Sequence, residues 1–144
     1  MIISIGSDHA AYNEKQEIID YLSKKGFKVI DFGTNSTDSS DYPIFGQKVA
    51  KSIINKDAHK GIIICGTGIG ISIAANRYKN IRAALCNTVE HAEMSRKHND
   101  SNVLALGART KNNIDELKNI IDVWLETDFE GGRHQRRIDL IDKI

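Results

Sequence analysis

The sequence predicts an α/β domain of three layers, α/β/α, around a five-stranded parallel sheet. Three observations lead there. Apolar runs of five or six residues alternate with longer segments whose apolar residues recur at helical spacing. Glycine and small polar residues punctuate the boundaries between them. Strands separated by helices need crossover connections, and such connections give a parallel sheet covered on both faces.

The elements follow in order. Residues 2–6 are the first strand. Ile18, Ile19 and Leu22 share one helix face, and Gly26 stops that helix. Residues 27–32 (FKVIDF) are the second strand, and the polar stretch 33–41 is a loop. Asp41 is placed to cap the next helix, with Pro43, the only proline, in its first turn. That helix carries Phe45, Val49, Ala50, Ile53 and Ile54. Residues 61–65 are the third strand, and a helix over 69–78 follows a glycine-rich turn. Residues 81–86 are the fourth strand, 88–98 a helix with Thr88 and His91 at its start, and 102–106 the fifth strand. Leu117, Ile120, Ile121, Trp124 and Leu125 line an amphipathic helix. Gly131-Gly132 breaks the chain before a last short helix. Right-handed crossovers put every strand's C-terminal end on one edge of this Rossmann-like sheet, where ligands bind. Asp8-His9, Tyr42, residues 65–70 and Asn87-Thr88 all reach that edge.

Length and charge narrow the function. The chain has 144 residues, enough for one domain over 1–144 with an ordinary core. Charged residues make up 27% against 40% apolar, and net charge is +1, so a nucleic-acid partner is not expected. No apolar run approaches the ~20 residues of a membrane span, and no membrane partner is expected. The first residues show no basic leader, and Cys65 and Cys86 are isolated thiols, so a reduced, cytoplasmic setting is expected.

The segment Cys65-Gly66-Thr67-Gly68-Ile69-Gly70 is the most informative. A strand ends in a thiol, and a glycine turn then opens a helix whose N-terminal amides and dipole favour anions. Several phosphate chemistries are argued against. No lysine follows Gly66, as a Walker loop requires. The turn reads GxGxG rather than GxGxxG, and Asn87 replaces the acidic residue of a dinucleotide site. Ile71 stands six residues after Cys65, where a tyrosine-phosphatase-like loop has arginine. An anion-binding turn remains, with Cys65 placed for a chemical role. Cys86 reads as a small buried hydrophobe.

Other polar residues stay open on pattern alone. Asp8-His9 either caps the next helix or serves a site. His98-Asn99-Asp100 is either a polar helix end or a functional group. Arg133 and Arg137, four apart, share a helix face that suits phosphate or is simply solvated. Arg109 adds a third candidate. No HExxH or paired CxxC is present, so no metal site is expected.

Five segments in order, GSDHAAY (6–12), DYP (41–43), ICGTGIGISIAANR (64–77), SRKHNDSNVLALGAR (95–109) and EGGRHQRR (130–137), resemble the ribose-5-phosphate isomerase type B family. That family includes allose- and galactose-phosphate isomerases, and the likeness is to its cysteine-using bacterial branch. The resemblance implies strand order 2-1-3-5-4 and a cofactor-free aldose–ketose isomerase working through a cis-enediol. It implies that Cys65 moves the proton between C2 and C1 and that His98 opens the sugar ring. Asp8 would hold hydroxyls, and Thr67 with the amides of Gly66, Gly68, Ile69 and Gly70 would stabilise the enediolate. Tyr42 and Asn99 would orient the sugar, and His9, Arg109, Arg133 and Arg137 would bind phosphate. The partners implied are a phosphorylated aldose or ketose and a second copy: a homodimer, or a tetramer, with shared active sites and helix 131–144 against the neighbour. A six-carbon sugar phosphate as substrate, or a phosphosugar-binding module without catalysis, are the alternatives.

Overall fold

The computed structural model describes residues 1–110 and 113–144. Strands β1 (Ile2–Ser7), β2 (Lys28–Asp31), β3 (Lys60–Cys65), β4 (Ala83–Leu85) and β5 (Val103–Gly107) alternate with helices α1 (Tyr12–Lys24), α2 (Tyr42–Ile54), α3 (Ile69–Asn76), α4 (Val89–Asn99), α5 (Ile114–Glu126) and α6 (Arg133–Ile141). All pairings are parallel and the order is β2-β1-β3-β5-β4, as the resemblance implies.

Side-chain alternation along the central strands divides the core in two. Ile62 and Ile64 of β3, with Leu104 and Leu106 of β5, face a layer holding Ile18 and Leu22 of α1, Ala92 of α4, and Ile120, Ile121 and Trp124 of α5. Ile63 and Cys65, with Val103 and Ala105, face Phe45 and Val49 of α2 and Ile71 and Ala75 of α3. Trp124 is fully buried, and its indole N–H donates to Ser101 Oγ at 2.8 Å. Cys65 therefore points towards the α2/α3 layer, under the turn that follows it.

Two local expectations need correction. Asp41 stands at the N-cap of α2, but its carboxylate makes no capping hydrogen bond. Thr88 does cap α4, accepting from the His91 amide at 3.1 Å. The fourth strand is half the expected length. The Arg82 amide turns aside to Asn102 Oδ1 at 2.8 Å, and the Ile81 amide closes a turn onto the Tyr78 carbonyl.

Candidate active site

Strand register assembles the first group of residues. Ser7 pairs with Ile64, and Cys65 with Gly107, so Asp8, Cys65 and the start of the β5 exit loop stand side by side at the C-terminal edge. The Asp8 amide donates to the Ile64 carbonyl at 3.3 Å. Asp8 is 6% exposed and caps the short turn His9–Ala11, accepting from the Ala10 amide at 3.0 Å. His9 is tied to the 33–41 loop: its amide donates to Ser40 Oγ at 3.0 Å, and its Nδ1 lies 3.1 Å from the Ser40 amide.

The glycine turn wraps around the sulfur. Cys65 is 4% exposed, and its Sγ accepts the Gly68 amide at 3.1 Å. Gly68 is left-handed, at φ +78°, and a Cβ there would lie 2.5 Å from Leu85 and 2.8 Å from the Leu106 carbonyl carbon. Only glycine brings that N–H onto the sulfur. The Ile69 amide goes to Thr67 Oγ1 at 3.2 Å and the Ser72 amide to the Gly68 carbonyl. The amides of Gly70 and Ile71, also in the first turn of α3, have no partner among the described residues. Of the amides expected to hold an enediolate, those of Gly68 and Ile69 are spent inside the turn, whereas those of Gly66 and Gly70, like that of Ile71, have no partner among the described residues. Tyr42, at the start of α2, lays its ring over Gly70. The Arg109 guanidinium packs on Gly66, and the Arg109 amide donates to the Gly66 carbonyl at 2.9 Å.

A second group forms at the opposite end of the sheet. His98 and Asn99 close α4, whose C-terminus points to the N-terminal edge of the strands. The Asn99 carbonyl accepts from Arg82 Nε at 2.9 Å, just before β4 begins. The imidazole rings of His98 and His134 stack, centroids 4.4 Å apart and 19° from parallel. His134 belongs to α6, as do the exposed Arg133 and Arg137. Burial, then the positive surroundings of His98 and Arg133, push the His134 imidazole below its ordinary pKa.

Arg96 ties this end together. It is 7% exposed and donates to Asp100 Oδ1 at 2.8 Å, to the Ser101 carbonyl at 2.7 Å and to the Thr127 carbonyl at 3.2 Å. The Glu130 amide adds a bond to the Lys97 carbonyl at 3.2 Å. The end of α4, the start of β5 and the segment between α5 and α6 form one bracket.

One chain does not unite the expected residues. Asp8, His9, Tyr42, residues 66–70, Cys65 and Arg109 gather at the C-terminal edge; His98, Asn99, Arg133 and Arg137 gather at the N-terminal edge. A strand rises about 3.3 Å per residue and a helix about 1.5 Å, so α4 and the sheet hold the two groups about 15 Å apart. Proton transfer needs contact at about 3 Å. His134 was passed over in the sequence, although it lies between Arg133 and Arg137; its stacking on His98 depends on two helices far apart in the chain.

Comparison with known proteins shows the family. The family model described as Ribose/Galactose Isomerase matches residues 3–141. Ribose-5-phosphate isomerase B of Escherichia coli is 45% identical over 142 residues, spanning 99% of this chain and 95% of its own. The structure of the Clostridium thermocellum ribose-5-phosphate isomerase B superposes with a TM-score of 0.98 at 52% identity, covering 99% of this chain and 96% of that one. The Mycoplasma genitalium ribose-5-phosphate isomerase B with bound ribulose-5-phosphate gives a TM-score of 0.94 at 43% identity, covering 99% and 94%. The chain, with its buried thiol under a glycine turn, belongs to the ribose/galactose isomerase family.

Proposed function

We propose that this protein interconverts ribose 5-phosphate and ribulose 5-phosphate, with Cys65 as the base. The observation that carries the reading is the Cys65 sulfur, held by the Gly68 N–H at 3.1 Å beside the partnerless amides of Gly70 and Ile71. A thiolate there takes the proton from C2. The electron pair shifts onto the carbonyl oxygen, and the resulting enediolate is an anion that the free amides of the turn stabilise. Thr67 lies at the same lip. Cys65 then returns the proton to C1, while Asp8 carries the exchange of protons between O1 and O2. Those donors act at the reacting end of the sugar. A phosphate placed there would repel the thiolate, so the phosphate belongs with the arginines.

His98 opens the ring, and it comes from a second copy. A two-fold axis across the strands sets the N-terminal edge of one chain against the C-terminal edge of its partner and builds two equal sites. Each would combine Asp8, His9, Tyr42, Cys65 and Arg109 of one chain with Asn99, His98, Arg133 and Arg137 of the other. Exposed Ile69 and Ile73 on α3, beside the thiol, and Leu140, Ile141 and Ile144 in the C-terminal segment offer apolar surface for that contact.

The test is a panel of five- and six-carbon aldose phosphates on wild type and Cys65→Ala. Losing a general base costs about 10²–10⁴-fold in turnover. Ribose 5-phosphate should be the best substrate, and C2 should exchange with deuterated water only when Cys65 is present. Turnover retained in Cys65→Ala would remove the base; a preference for six-carbon chains would change the substrate and leave the chemistry.

A further inference from the structure

Glu130 and His134 have no part in the proposed isomerisation, and beside His98 they offer a second chemistry. His134 is 5% exposed, and its Nε2 is buried without a hydrogen-bond partner. Glu130 Oε2 lies 3.6 Å from that nitrogen, beyond hydrogen-bond reach. The His98 ring stacks on the same imidazole. One potential ligand atom from each of the three residues lies within 4.8 Å of the other two. A buried ring nitrogen aimed at a carboxylate it does not bond is a costly arrangement, and an acceptor of its lone pair would relieve it.

We propose that His98, His134 and Glu130 form a binding site for one divalent transition-metal cation of the zinc class. Bond lengths of about 2.0–2.2 Å in a tetrahedral zinc site put ligand atoms about 3.3–3.5 Å apart. The His134–Glu130 pair already stands at 3.6 Å. Glu130 is exposed and His98 half-buried, so Glu130 can close the gap by side-chain movement and the His98 ring can swing out of its stack on His134 to turn a nitrogen towards the ion. Two imidazoles and one carboxylate suit zinc, nickel or cobalt and not magnesium or calcium, and they leave a fourth position open. Arg133 and Arg137, on the same helix as His134, oppose a cation, which sets this site below a structural zinc site in affinity. Glu130 and His134 are four residues apart and His98 is on another helix, so no zinc spacing marks the site in the sequence.

The consequence for turnover rests on the ring-opening role proposed for His98. A ring nitrogen that holds a metal has no lone pair or proton to exchange, and the cation blocks approach of the sugar to His98, so it is a reversible inhibitor that substrate displaces.

The experiment uses the untagged oligomeric protein, titrated with Co²⁺ by visible absorption and with Zn²⁺ by calorimetry. One ion per chain is expected, without a thiolate-to-cobalt charge-transfer band. Glu130→Gln and His134→Gln should each weaken Co²⁺ by at least about tenfold, and Glu130→Gln should keep wild-type turnover in chelator. Absence of saturable binding, binding undiminished in both variants, or a thiolate band assigning the metal to Cys65 would each overturn the site and leave the proposed isomerisation intact. Binding that depends on Glu130 and His134 but does not slow turnover would support the cation site and overturn inhibition together with the role of His98.

Discussion

The Tyr42 ring lies over Gly70, so that a Cβ added at residue 70 would sit 2.6 Å from Tyr42 Cζ and 2.9 Å from its hydroxyl oxygen. This contact sets the phenol at the mouth of the glycine turn, next to a free amide. Gly70→Ala should push the ring outward. Tyr42 is 40% exposed and can move without opening the core, so stability should stay within about 0.5 kcal/mol. kcat/KM should fall about tenfold, or ~1.4 kcal/mol of transition-state binding. In a Tyr42→Ala background the glycine substitution should add nothing further; an additive loss in steady-state kinetics would separate the two residues.

Separation of Cys65 and His98 by the height of the sheet gives a complementation test. Cys65→Ala and His98→Asn homodimers should each be nearly inactive. In the proposed two-fold dimer, variants unfolded together and refolded as an equal mixture should form hybrids in half of the dimers, each hybrid with one intact site. About a quarter of wild-type turnover should return on statistical grounds. No recovery, with mixed dimers demonstrated by mass spectrometry, would place the whole site in one chain.

The two thiols should differ in reactivity. Cys86 is 2% exposed, and burial pushes its thiol up to about 11, against a hydrogen bond to Ser95 that lowers it. It stays protonated and unreactive at neutral pH. Iodoacetamide on the native protein should modify Cys65 and spare Cys86, and a phosphorylated pentose should slow the modification. Peptide mapping checks both points, and equal labelling of the two would contradict them.

Lys60 makes stability depend on pH. Its ammonium sits 4.9 Å from the centre of the Trp124 ring, and burial, then the Arg96 charge, lower it from 10.5 to about 8. Between these values the unfolded chain holds a proton that the folded chain has released. This contribution therefore makes stability rise as pH increases from about 8 to 10.5, and it is constant below 8. Lys60→Met keeps the stem and removes the charge. Its gain in urea midpoint over wild type should be largest at pH 7 and should shrink towards pH 10.5. A gain independent of pH would assign the effect to packing.

Much of the fold was legible because its signals are local. Residues 61–65 are one short apolar run between turn residues, which marks a buried strand, although which of Ile62, Ile63 and Ile64 faces which layer shows only in the fold. Strand order was not legible from that pattern, since pairing of β3 with both β1 and β5 depends on contacts distant in sequence; only family resemblance supplied it. At the site, Cys65 and the glycine turn were visible as a contiguous motif. Which amides stay free was not, because Thr67 Oγ1 and Cys65 Sγ claim theirs through side-chain rotamers. The stack of His98 on His134 was hidden for the same physical reason as the strand order, since it arises only when α4 and α6 pack.

The Arg96 bracket has its own consequence. It clamps three stretches of chain with groups that never meet a sugar, yet His98 and Asn99 ride on its rim. The end of the molecule proposed to supply the acid/base group thus behaves as a pre-set fixture and not as an adaptable loop. Substitutions at Arg96, Asp100 or Ser101 should therefore be felt first as a displaced His98 and Asn99, before the core beneath them gives way.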